Sequence, residues 1–219
     1  MAGTKAASRT NETSEPPVRG RILGAAFSAF MERGYEGAST LDIATRARVS
    51  KRELYTHFAN KQAMLIACIA ERAQRMRLTL ALPPATNQAA LVATLNEFGS
   101  AILREVSDPK VLAVYRLAIA ESDRAPEIAQ SLDKFGREAN RAALVKFLTD
   151  AQANGLIGPG DSTTMAAQFV ALIWGDLLVR LLLRVANSPK PAEINRRVQA
   201  ATEILLAHYP AGVAEPQAS

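Results

Sequence analysis

Residues 39–58, STLDIATRARVSKRELYTHF, hold two helix starts eleven positions apart. Ser39 is followed at capping-box spacing by Asp42, and Ser50 by Glu53. Ile43, Ala44 and Ala47 supply the buried side of the first helix, and Leu54 and Phe58 that of the second. Only Arg48-Val49 links them. Two helices this short, joined this tightly, must cross over a shared patch of core, which is a helix-turn-helix unit. The second opens with Lys51 and Arg52, where cations oppose the helix dipole at a cost of roughly 0.3–1 kcal/mol each. Tyr55, Thr56, His57 and Lys61 follow on the polar side or just beyond. An anion lying against this end would offset the unfavourable charges.

Helical spacing dominates the rest of the chain, and no period-two alternation is found. Val18, Ile22, Ala26 and Phe30 share one face of a first helix, with Gly34 as its terminator. Asn60 caps a fourth helix that runs to about Leu80, and residues 82–87, LPPATN, interrupt the pattern. Leu91, Leu95, Phe98, Ile102 and Val106 mark a fifth helix. Pro109 opens a sixth with Leu112, Tyr115 and Ala118 or Ile119 facing in. Ile128, Leu132, Phe135, Ala139 and Ala142 mark a long seventh, ended by residues 154–160. The expectation is an all-α chain of about nine helices. It divides into a disordered arm at 1–17, a helix-turn-helix domain at 18–81, a larger helical bundle at 82–209 and a flexible tail at 210–219.

Charge separates the two modules. Residues 1–80 carry thirteen Lys/Arg against seven Asp/Glu, whereas residues 81–219 carry thirteen against fourteen. All the excess positive charge therefore lies in the first third, which suits a polyanionic partner. The one cysteine, Cys68, rules out an internal disulfide, reads as a small apolar filler and fits a reducing, cytoplasmic compartment. The amino terminus lacks the apolar stretch of a signal peptide. His57 and His208 are the only histidines, and neither metal-ligand spacing, nor a phosphate-binding glycine loop, nor a nucleophile elbow is found. Neither a cofactor nor catalysis is expected.

Residues 165–186, MAAQFVALIWGDLLVRLLLRVA, form the most apolar run. Its length matches a bilayer, but Gln168, Asp176, Arg180 and Arg184 interrupt it, and charges at mid-span are costly. Read as one soluble helix, it has Asp176, Arg180 and Arg184 in a single polar stripe and is apolar elsewhere. Such a helix needs cover on more than one side. This run and the final helix, with Ile194, Val198, Ala201 and Leu205, are therefore the expected interface of a homodimer.

The segments RILGAAFSAFMERGYEGAS, TLDIATRARVS and SKRELYTHFANKQAML resemble the DNA-binding domain of TetR-family transcriptional regulators. The resemblance rests on ordered, spaced residues: Gly34-Tyr35, Ile43-Ala44, Ala47 to Ser50, Leu54 to Phe58, and Lys61. It implies that the third helix enters the major groove of double-stranded DNA. Lys51, Arg52 and Thr56 would then face bases, and Tyr55, His57 and Lys61 phosphates. Two positions depart from the pattern. Arg48 replaces the usual turn glycine, so it is a strained turn residue, a phosphate contact, or both. Ala38 replaces a threonine, whose capping and phosphate role passes to Ser39 or Thr40. Residues 115–136 resemble the C-terminal domain of the AefR-like subgroup, with Arg124-Ala125-Pro126 where Arg-Phe-Pro is usual. That implies an effector cavity in the bundle. Phe98, Tyr115, Phe135, Phe147, Phe169 and Trp174 are its candidate lining, and a lipophilic small molecule its candidate occupant. The expected function is an effector-released repressor on a pseudo-palindromic operator; a sequence-tolerant architectural DNA-binding protein is the alternative.

Overall fold

A computed structural model describes residues 17–79 and 82–211, with backbone alone for 73–79. The arm and tail expected at the two ends fall outside the described residues, apart from Pro17, Pro210 and Ala211. The helices are α1 (Val18–Gly37), α2 (Thr40–Ala47), α3 (Lys51–His57), α4 (Lys61–Thr79), α5 (Gln88–Val106), α6 (Pro109–Ala120), α7 (Pro126–Leu132), α8 (Ala139–Ala153), α9 (Ser162–Trp174), α10 (Leu177–Leu182) and α11 (Pro191–His208). A π-helical segment, Asp133–Glu138, joins α7 to α8. No strand occurs among the described residues.

The two serine caps form as expected. Ser39 Oγ accepts from the Leu41 amide at 3.2 Å, and Ser50 Oγ from the Glu53 amide at 3.0 Å. Among the described residues only the serine half of each capping box forms. The Asp42 carboxylate turns instead to Arg46, 3.1 Å away, and to Arg33. Gly34, at φ 71°, breaks α1 where the sequence placed its terminator.

The run 165–186 is not one helix. Gly175 adopts φ 48°, a conformation open to a residue without Cβ, and separates α9 from α10. Asp176 and Arg180 still pair at 3.8 Å. Arg184 lies beyond α10 at φ 60°, so the expected three-residue stripe stops after two. No helix among the described residues is long and apolar enough to cross a membrane.

The buried apolar residues form two cores. The second is built from α5, α8, α9, α10 and α11 and centres on Phe98, Leu148, Phe169 and Val198. Gly99 lets α5 close on α9 and α11, because a Cβ there would stand 2.7 Å from Val198 Cγ1. The first core joins Ile22, Phe30, Ile43, Leu54 and Leu65 to Val114 and Ala118 of α6 and Ile128 of α7. The helix-turn-helix unit is thus packed onto the bundle by a continuous apolar layer.

Candidate DNA interface and effector cavity

Two helix ends compose one polar face. Ser39 and Thr40 open α2, and Ser50, Lys51 and Arg52 open α3. The Tyr55 hydroxyl donates to Thr40 Oγ1 at 3.4 Å, which brings the middle of α3 beside the start of α2. Leu54 and Phe58, buried four residues apart, hold α3 down. Lys51, Arg52, Tyr55, Thr56 and His57 are all exposed on its other side. Thr56 Oγ1 donates to the Glu53 carbonyl at 2.6 Å, so that hydroxyl is left mainly as an acceptor. The turn is rigid. Arg48 takes φ 56°, ψ 46°, its amide donates to Thr45 O, and the Val49 amide donates to Ala44 O at 3.0 Å. Those two bonds are the Schellman pattern, here with an arginine where glycine is usual. Its side chain remains exposed on the same end of the unit.

The network behind this face is electrostatic. Arg46 forks onto Glu32 at 2.8 and 2.9 Å and also reaches Asp42, tying α2 to α1. That guanidinium holds the Glu32 carboxyl below its ordinary range. Arg21 Nε closes the end of α2 by donating to Ala47 O at 3.2 Å.

Lys61 opens α4, as expected, and has partners within the chain besides. Its ammonium donates to the Tyr35 carbonyl at 2.6 Å and approaches that of Glu36. It also lies 4.4 Å from the centre of the Tyr35 ring. The amine therefore satisfies carbonyls at the broken end of α1, and it is half-buried rather than projected at solvent. Sequence spacing placed Lys61 at the start of α4 but carried no information on where α1 ends in space.

Within the bundle lies a cavity of about 810 Å³. Three of the six candidate aromatics line it: Phe98, Tyr115 and Trp174. Phe147 and Phe169 are buried in the core away from its wall, and Phe135 lies partly exposed on the π segment. Its floor comes from outside the bundle. Phe27 of α1 and Cys68, Ile69 and Arg72 of α4 all contribute, so helices of the DNA-binding unit form part of the wall. Asn140, at the start of α8, adds a polar side chain that is only 8% exposed. Burial pushes up the Tyr115 hydroxyl's pKa, Arg137 lowers it and Asp133 raises it. Burial likewise pushes the Cys68 thiol up to about 12, and its Sγ–H points to Leu23 O at 3.4 Å. No group of three or more His, Cys, Asp or Glu suited to a metal occurs among the described residues.

Comparison with known proteins agrees with this geometry. Residues 22–68 match the family model of bacterial regulatory proteins of the tetR family, and residues 93–211 match the C-terminal domain of AefR-like transcriptional repressors. The HTH-type transcriptional regulator UidR of Escherichia coli K12 is 28% identical over 159 residues, spanning 73% of this chain and 79% of that protein. Among solved structures, the flavonoid-responsive regulator FrrA superposes with a TM-score of 0.76 at 27% identity, covering 92% of this chain and 98% of its own. GusR of Salmonella enterica gives 0.64 at 30% identity, covering 90% and 98%. A helix-turn-helix unit with a polar recognition face, fused to an all-helical bundle and matched by both family models, has one reading: the chain belongs to the TetR family of transcriptional regulators.

Proposed function

We propose that the protein is a homodimeric repressor that leaves a pseudo-palindromic operator when a lipophilic small molecule fills the bundle cavity. The observation that carries this reading is the cavity floor. Phe27, Cys68, Ile69 and Arg72 belong to α1 and α4, the helices on which α2 and α3 are mounted. A ligand there touches the DNA-binding unit directly. It can then favour one disposition of the two units over another, as differential affinity requires. The likeness to AefR-like repressors supports repression, and the likeness to a flavonoid-responsive regulator supports a response to a small molecule.

On DNA, Lys51, Arg52 and Thr56 face base edges, while Ser39, Thr40, Arg48, Ser50, Tyr55 and His57 meet phosphates. Lys61 serves the same surface from behind, by fixing α1 against α4. Dimerisation through the α9–α11 face sets two copies of α3 about one DNA turn apart, roughly 34–36 Å. The test is selection of DNA fragments by the purified protein, followed by gel shift against random competitor. An inverted repeat with half-sites one turn apart is the expected result. Binding that random DNA competes away equally would instead favour the architectural reading.

A further inference from the structure

Resting on the effector-cavity reading, we propose that Asn140 selects the ligand, and that the ligand is an uncharged lipophile carrying a hydroxyl or carbonyl group. The first ground is the charge of the wall. Its charged side chains are Arg72, Arg137, Arg141, Glu105, Asp133 and Glu138, three of each sign. Arg137 is taken up by Asp133 at 2.7 Å; Arg72 lies 4.0 Å from Asp108 and over the Phe27 ring, and its buried Nε, without a hydrogen-bond partner, is a further donor that a neutral carbonyl or hydroxyl oxygen can satisfy. A buried ligand charge would lose its hydration and find no net opposite charge in return.

The second ground is what remains unpaired. Asn140 is more than nine-tenths buried, lines the cavity, and has no hydrogen-bond partner for its carboxamide among the described residues. The Tyr115 hydroxyl, on the same wall and on a half-buried residue, likewise makes no hydrogen bond among the described residues. A carboxamide both donates and accepts, and so does a phenol. Such groups match a neutral hydroxyl or carbonyl, whereas the rest of the interior, including Phe98, Ile102 and Trp174, is apolar. Asn140 immediately follows Ala139, where the π segment Asp133–Glu138 gives way to α8, and Gly136 of that segment shares the cavity wall. Widened turns of this kind are frequent at functional sites.

The test uses the full-length protein with three matched probes: 4-phenylphenol, biphenyl-4-carboxylate and biphenyl. Trp174 is the only tryptophan and lines the cavity, so its fluorescence reads occupancy without DNA. At pH 7 the phenol should bind about tenfold tighter than biphenyl, as one well-placed hydrogen bond allows, and tighter than the carboxylate by at least as much. Asn140→Leu should bring phenol and biphenyl within about threefold of each other, and Tyr115→Phe should narrow the gap in the same direction. A carboxylate that binds as well as the phenol overturns the proposal, as does a phenol preference that survives both substitutions. Failure of the phenol to bind at all also overturns it. Release of selected operator DNA is measured separately: probes that bind by these rules without releasing DNA sink the effector-repressor reading and leave the ligand rule standing.

Discussion

Among the described residues, Arg48 and Arg184 are the two non-glycine positions with positive φ, at 56° and 60°. Each closes a helix by the same pair of bonds, for the Arg184 amide donates to Leu181 O and the Val185 amide to Arg180 O. An L-residue in this conformation costs about 1–2 kcal/mol, so both helices end at a penalty that glycine would remove. Arg48→Gly should therefore raise the unfolding free energy by about 1 kcal/mol, read by urea melts. If the side chain is kept for phosphate, the same variant weakens binding to every DNA sequence and lowers the salt slope by about one. A variant that loses stability shows instead that the side chain supports the turn. Cys68 makes a second residue-level test. Its thiol binds a proton more tightly in the fold, with a pKa of about 12, than in the unfolded chain, near 9.0. The contribution is thus whole below pH 9, and the stability curve should fall by up to one proton's slope as pH rises from 9 to 12. Cys68→Ala should remove that increment of slope; an identical curve would mean that other groups cause it. At pH 8 a thiol reagent should label the native protein far more slowly than the urea-unfolded chain.

At the scale of elements, α3 was legible because its determinants are local. Ser50 caps it, Leu54 and Phe58 seat it, and the cations at its first turn mark the exposed side, all within nine residues. The candidate DNA residues of α2 and α3 accordingly fall on one surface. The intramolecular partners of Lys61 are not visible in its local sequence, because the carbonyls of Tyr35 and Glu36 are some twenty-five residues earlier. Lys61→Ala should cost about 1.5–3 kcal/mol of stability, as loss of a charge-assisted bond to a part-buried carbonyl does. The operator salt slope should change little. A slope reduced by one with unchanged stability would return Lys61 to the phosphate contacts. By contrast, Arg52→Ala should leave stability within about 0.5 kcal/mol and change the ranking of operator variants. A uniform loss across all variants would contradict base reading. Periodicity also joined what the fold divides: Gly175 splits the apolar run, and a π segment lies inside the expected seventh helix. Neither interrupts the apolar pattern, since both are settled by what packs against them. The cavity wall escaped for a similar reason, because Phe27, Arg72 and Asn140 come from three separate helices.

For the whole molecule, the unresolved demand is the apolar surface left on the α9–α11 side. Leu183 is 67% exposed, Val185 64%, Ile204 52% and Leu172 40%. Isolated exposed leucines need no explanation, but these cluster on two helices and the turn after α10, and the inner sides of the same helices already face a full core. On the homodimeric reading proposed above, a second copy of the chain would bury them with two-fold symmetry, as a self-complementary patch does. Each protomer of that dimer would present one α3, and the spacing between the two would follow from how the α9–α11 faces meet. Placing a charge in the centre of that patch should separate the protomers, since an unpaired buried carboxylate costs several kcal/mol. Leu183→Glu combined with Ile204→Glu should therefore halve the mass seen by sedimentation at micromolar concentration. The helical circular dichroism should be retained, because both side chains are solvent-facing within the protomer. Affinity for a two-half-site operator should fall steeply in the double variant. Binding to an isolated half-site, already weak, should change little, because α3 itself is untouched. A double variant that stays dimeric places the interface elsewhere on the bundle, and a wild-type chain that sediments as a monomer removes the geometric basis for a paired operator.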